Sequence, residues 1–286
     1  MTEPATQSGS VLRRSDSRPL DIVPSKPPEG GWHWTPWLCE ALGTAILLTG
    51  GLSAVFLDFG ARSPVAAHLP SHSIRLLITG LLFAGTGSLV ALSPLGRISG
   101  AHLNPAVTLA FWTQRKVHHH DVVGYIASQL LGALSAAAFL RLTWGNTALE
   151  LHLGATQPGR GVTALEAAGL ETLMTASLVL MILFFTSTPR SARWTPLGNW
   201  LLVAALVWQG APYTGTSLNP FRSLAPALLA PLLAHLWVYL SGPMAGALLA
   251  VAIFSLFRDS HTLTAKLFHD PRYRSTLGSD LPTALR

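Results

Sequence analysis

Ser99-Gly-Ala-His-Leu-Asn104-Pro-Ala-Val-Thr-Leu-Ala110 and Thr214-Gly-Thr-Ser-Leu-Asn219-Pro-Phe-Arg-Ser-Leu-Ala225 decide the fold of this chain. Set side by side, Asn104 over Asn219, they agree at Gly, Leu, Asn, Pro, Leu and Ala. Both lie in apolar surroundings, and both turn from a loop into a helix. Proline suits the first helical position, and an Asn just before it caps the first turn. Asn104 and Asn219 therefore each head a helix that begins at Pro105 or Pro220. A helix start carries unpaired N–H groups and a partial positive charge. Two of them in one apolar chain predict two half-helices that meet in the middle of a membrane.

The composition sets the same class. Of 286 residues, 11% are charged and 49% hydrophobic, whereas a soluble domain has roughly 25% charged residues. Most of the chain belongs in a bilayer. The single cysteine, Cys39, excludes an internal disulfide framework and any multi-cysteine metal site. A net charge of +6 raises nucleic acid as a partner. The basic residues flank apolar spans instead of gathering on one surface, which argues against it.

Residues 1–31 are polar and lack the apolar core of a signal peptide, so they are expected to form a disordered cytoplasmic tail. Residues 32–257 form the membrane domain, with repeats at about 37–142 and 165–257, and 258–286 form a loosely ordered cytoplasmic tail. The first repeat offers spans at about 37–56, 74–92 and 122–142, with a half-helix at 104–112. The second offers 165–185, 196–210 and 232–257, with a half-helix at 219–229. Nine residues at 1.5 Å rise give about 13 Å, near half of a ~30 Å hydrocarbon core. Three spans per repeat turn the second half upside down, the inverted plan of many transport folds. With both termini inside, only Arg62, Arg75, Arg141, Arg160 and Arg222 of the 19 Lys and Arg fall outside, in line with the positive-inside rule. Residues 143–164 read as an extramembrane loop. The run His118-His119-His120 cannot put three rings on one helical face, so a solvated loop is expected there and no metal site.

The paired signature resembles that of the major intrinsic proteins, the aquaporin and glycerol-facilitator family. The likeness runs from about Trp37 to Phe257, with Asn104-Pro105-Ala106 as its most specific part. It departs from the family at Phe221, where Ala is usual. The resemblance implies an all-α membrane protein of six transmembrane helices plus two re-entrant half-helices, a homotetramer in the cell membrane, with no cofactor and no enzymatic activity. It also implies that Glu40 and Glu171 accept hydrogen bonds from the loops leading into the half-helices. A carboxylate in an apolar helix is costly and is usually functional or paired.

Irregular backbone at membrane depth is tolerated only where protein buries it or where it lines a wet cavity. Its carbonyls can accept hydrogen bonds from a solute, and the amides of Asn104 and Asn219 can donate. Positive helix starts oppose cations and protons. The acids within the spans, Glu40, Glu166 and Glu171, all fall in the first third of their span, which disfavours an ion-coupled carrier. The family's outer constriction falls on Ala84, Val207, Thr216 and Arg222. Water-selective members resemble a narrower site with an aromatic residue and His. The small pair with Arg222, and Trp237-Val-Tyr-Leu-Ser-Gly-Pro243, resemble the nodulin-like channels. Ser223 stands where glycerol facilitators usually have Asp. The resemblance implies a passive channel for water plus glycerol, urea or metalloid acids such as boric or arsenous acid, excluding ions and protons. A water-selective aquaporin is the alternative.

Overall fold

The computed structural model describes residues 31–61, 63–257 and 262–270, and the regular secondary structure among them is all helical. The N-terminal tail and residues 271–286 lie outside the described residues. Six long helices form the bundle: α1 (Trp34–Phe59), α3 (His72–Leu92), α6 (His119–Glu150), α7 (Ala164–Phe185), α9 (Thr195–Thr214) and α11 (Leu236–Phe254). Short α2 (Pro64–His68), α4 (Pro94–Ser99) and α8 (Pro189–Ala192) lie between them, and the half-helices are α5 (Pro105–Thr113) and α10 (Pro220–Leu229). Five long helices are apolar enough to cross a bilayer; α9 matches them in length, at 20 residues, but carries Asn199, Gln209 and Pro212.

Packing follows the repeat. Helix α1 lies between α3 and α6, and α7 lies in the same way between α9 and α11. The repeats join through α3 against α9. The half-helices cross over, α5 packing on α11 and α10 on α6. Small residues let backbones touch. A Cβ on Gly132 of α6 would sit 2.2 Å from the Ala41 carbonyl of α1, and one on Gly246 of α11 would sit 2.4 Å from the Thr172 carbonyl of α7. Outward faces carry bare apolar side chains, with Leu142, Leu165 and Val123 at 83, 77 and 70% exposure. Lipid covers such a belt in a membrane protein, as Trp194, Trp208 and Trp237 near helix ends also indicate.

Four segments depart from the sequence reading. The loop before α5 winds a short helix, α4, capped by Gly100 in the left-handed region. Residues 143–150 are helical, because Gly145 (φ 49°, ψ −121°) kinks α6 without ending it and Trp144 Nε1 donates to Ser53 Oγ at 3.1 Å. Of the histidine run, His118 caps α6 by accepting from His120 N, and His119 and His120 form its first turn. The C-terminal residues 262–270 are mostly buried, not loosely ordered.

Candidate functional site: a polar path between two half-helices

The site is built twice by one recipe. Asn104 Oδ1 accepts from Ala106 N at 2.9 Å, and Asn219 Oδ1 accepts from Phe221 N at 3.0 Å. Each cap then reaches across the repeat boundary. Asn104 Nδ2 donates to Leu218 O and Asn219 Nδ2 to Leu103 O, both at 2.8 Å. One amide hydrogen of each Asn is thus committed to the opposite loop. The other is left for the cavity that both side chains line.

The loops are held in unusual backbone. Ala101, Leu103, Thr216 and Leu218 take φ of 55°, 51°, 48° and 58°, and Gly100 and Gly215 precede each set at 97° and 77°. A non-glycine residue in the left-handed region costs roughly 1 kcal/mol or more, so its surroundings must hold it there. Glu40 does so for the first loop. Its Oε1 accepts from Ser99 Oγ (2.7 Å) and His102 N (3.0 Å), and its Oε2 from Leu103 N (2.7 Å) and Gln129 Nε2 (2.8 Å). Glu171 does so for the second, accepting from Thr214 Oγ1 (2.7 Å), Ser217 N (2.8 Å) and Leu218 N (3.0 Å). Both carboxylates have no exposed surface. Because a peptide N–H and the preceding carbonyl point opposite ways, the carbonyls of Ala101, His102, Thr216 and Ser217 face away from the glutamates. They face the cavity that these residues line.

Sequence reading missed part of this support. Tyr125 OH donates to Ser99 O at 2.5 Å, and Tyr239 OH to Thr214 O at 2.9 Å. The tyrosines lie 114 positions apart, almost the offset of the Asn pair, and that offset was the signal available. Gln129 has no counterpart; the matching position is Pro243, so Glu171 accepts from one side chain fewer.

The cavity has a volume of about 450 Å³ and passes all four assigned constriction residues, Ala84, Val207, Thr216 and Arg222. Ala84 and Val207 are small and buried, at the closely packed α3–α9 seam. The Arg222 guanidinium lies 5.5 Å from the centre of the Phe83 ring, an aromatic wall that sequence reading did not assign. Its Nη1 donates to Gly154 O at 2.6 Å. Thr156 and Ser223 share a 2.6 Å hydroxyl contact. Residues 151–156 thus belong to the path and are not a free extramembrane loop. Phe221 packs into the cluster of Leu48, Leu52 and Phe56 and is not among the lining residues. Asp58, an acid that sequence reading passed over, is buried at the end of α1 and accepts from Thr79 Oγ1 at 2.5 Å. Cys39 is a buried free thiol that does not line the cavity.

The family model described as major intrinsic protein matches residues 32–254. The chain belongs to the major intrinsic protein family. Members are channels for water or small neutral solutes, not enzymes, and the architecture is the aquaporin one. Aquaporin NIP1-1 of Oryza sativa subsp. japonica is 33% identical over 226 residues, covering 77% of this chain and 73% of that protein. Glycerol uptake facilitator protein-like 6 of Lactiplantibacillus plantarum is 34% identical over 221 residues, 75% of this chain and 94% of that protein. Aquaporin-2 of Ovis aries is 35% identical over 235 residues, 79% and 84%. Likeness at this level does not choose among them. The aquaglyceroporin structure from Plasmodium falciparum, at 18% identity, superposes with a TM-score of 0.64 over 78% of this chain and 96% of that one, a match in fold.

Proposed function

We propose that this major intrinsic protein passively conducts small neutral solutes larger than water, of the glycerol, urea, boric acid or arsenous acid class, along with water. The observation that carries the reading is that the small pair Ala84 and Val207 lines the same cavity as a strong donor, Arg222. A solute entering there sheds water. Arg222 and the loop carbonyls offer it hydrogen bonds, and the small pair leaves it room. Cations and protons meet the guanidinium and then the positive starts of α5 and α10. We place both termini in the cytoplasm of a cell-membrane homotetramer with one path per subunit. The side chosen rests on the distribution of Lys and Arg, and the tetramer rests on family likeness.

Phe83 favours a second reading. Beside Arg222, its ring restores an aromatic wall to a site otherwise built of small residues, as a water-selective filter requires. Stopped-flow light scattering on proteoliposomes separates the two. Glycerol, urea and boric acid fluxes well above those of empty liposomes support the wider channel. Water flux alone refutes it and leaves the water-selective reading.

A further inference from the structure

The mouth opposite Arg222 carries an occupant of its own. Thr262, Thr264, Ala265 and Lys266 have no exposed surface, and Leu267 is 6% exposed. This short segment is fixed to three parts of the bundle. Leu263 N donates to Thr186 O, at the end of α7, and Leu267 N to Gly100 O, both at 2.9 Å. His102, which lines the cavity, makes a 2.8 Å bond through Nε2 to Ala265 O, so that nitrogen carries the proton. Arg97 of α4 pairs with Asp270 at 3.1 Å. The fit at Gly100 is tight, for a Cβ there would lie 2.7 Å from Ala265 O. Leu267 faces into the cavity with Ile182, Asn199 and Val203.

We propose that residues 262–270 are a stopper seated in a binding site at the cytoplasmic mouth, with Leu267 as the residue that limits permeation there. This rests on the channel reading above. The ties named here are hydrogen bonds to backbone and the Arg97–Asp270 ion pair, and contacts of this kind open locally at far lower cost than the bundle unfolds. A stopper seated about nine-tenths of the time holds flux near a tenth of its free value, so its removal raises flux about tenfold. Osmotic water permeability per subunit is measured on the full chain, on a chain ending at Phe257, and on Leu267→Gly, which keeps the full length. Higher flux in both variants supports the stopper, and Leu267→Trp should lower it. Equal flux in the full chain, the truncation and Leu267→Gly overturns the stopper and leaves the channel standing. Flux no greater than that of empty liposomes in all of them overturns the channel reading itself.

A separate cluster carries a second inference. His33, just before α1, and His120 and Asp121, in the first turn of α6, bring one ligand atom each within 4.8 Å of one another. His33 Nδ1 lies 2.7 Å from Asp121 Oδ1, which also accepts from Trp37 Nε1 at 3.0 Å. Asp121 is fully buried, yet among the described residues its Oδ2 has no hydrogen-bond partner, and neither does the buried His120 Nδ1. Unpaired buried polar atoms are costly and call for a reason. We infer that the three form a site for a divalent transition metal such as zinc, with two imidazoles and a carboxylate as ligands and water completing the shell. Metal–ligand bonds of about 2.0 Å need ligand atoms about 3.3 Å apart, so the His33–Asp121 bond would widen and His33 Nδ1 would give up its proton. The test uses the full chain, with any purification tag cleaved, dialysed against micromolar zinc and assayed by mass spectrometry. About one zinc per subunit, falling at least tenfold in His33→Ala and in His120→Ala but unchanged in His119→Ala, supports the site. Zinc below a tenth of that level, or held equally by all variants, overturns it.

Discussion

Replacing Glu40 with Gln should loosen the first re-entrant loop by a calculable amount. The carboxylate holds four donors, two on each oxygen. An amide offers one oxygen and one NH2. With the NH2 placed at Oε2, Gln129 can turn its carbonyl, which has no partner among the described residues, inward and accept from it. Leu103 N–H cannot adjust, because it belongs to the backbone. With the NH2 at Oε1, the Ser99 hydroxyl can rotate, and His102 N–H is the one stranded. Either way one buried backbone donor goes unpaired, at about 1–3 kcal/mol, and two remaining bonds lose their charge assistance, at about 0.5–1.5 kcal/mol each. The sum is about 2–6 kcal/mol, against a total stability of about 5–15 kcal/mol. At about 2–4 °C per kcal/mol for a chain of this order, the melting temperature in detergent should fall by about 5–20 °C, followed by fluorescence-detected size exclusion after heating. Water flux should fall with it. Glu171→Gln should do less, since its carboxylate takes one side-chain donor fewer. A melting temperature for Glu40→Gln within about 2 °C of the wild type would refute the idea that the carboxylate holds the loop.

Other substitutions test the path itself. Arg222→Ala should admit cations or protons while the chain stays folded, because Asn219 and not Arg222 caps α10; unchanged ion exclusion in a dye-quench assay counts against the filter. Thr216→Cys should create sensitivity to mercurials that the wild type lacks, since Thr216 lines the cavity and Cys39 does not. Strong wild-type block that vanishes in Cys39→Ser contradicts this. Ala84→Phe with Val207→His should collapse glycerol and boric acid flux while water flux changes modestly, and an unchanged ratio of the two fluxes refutes the width argument. Phe221→Ala should leave that ratio alone, because the ring packs behind the loop; a large rise would make the centre the limiting point.

Much of this architecture was legible because the chain repeats itself. Asn104 and Asn219, read from their own Asn-Pro pairs, head α5 and α10, whereas Glu40 and Glu171 as loop supports came only with the family resemblance, because their loop donors lie 43 to 63 positions away. Arg222 was named from the family resemblance and not from the repeat, whose first copy has Val107 there; it lines the cavity. Phe83 was not legible, because which wall residue leans on a guanidinium depends on how α3 turns beside α10, and no local pattern encodes that. The role of Gly154 and Thr156 was hidden by composition: a polar stretch after an apolar helix reads as solvent loop, whether it floats or folds into the mouth. The tail was misread for a related reason. Residues 262–270 look too polar to pack, but they pack through backbone groups onto a loop whose own carbonyls need partners. His120 was set aside because its two neighbours could not join it, whereas its partners come from His33, far off in sequence, and from Asp121.

The exchange of cap amides, Asn104 to Leu218 and Asn219 to Leu103, has a consequence for the order in which the chain is made. Asn104 leaves the ribosome 115 positions ahead of Asn219. At about 5–20 residues per second, about 6–23 s pass between them. For that interval the first half-helix has its glutamate and its cap, but the backbone it must grip does not yet exist. It has to wait beside α1, α3 and α6, closed by no counterpart, until the sixth helix brings α10 into place. The finished path is therefore a late event of synthesis, and a stall anywhere in residues 151–218 leaves a half that is inserted but has nothing to conduct through.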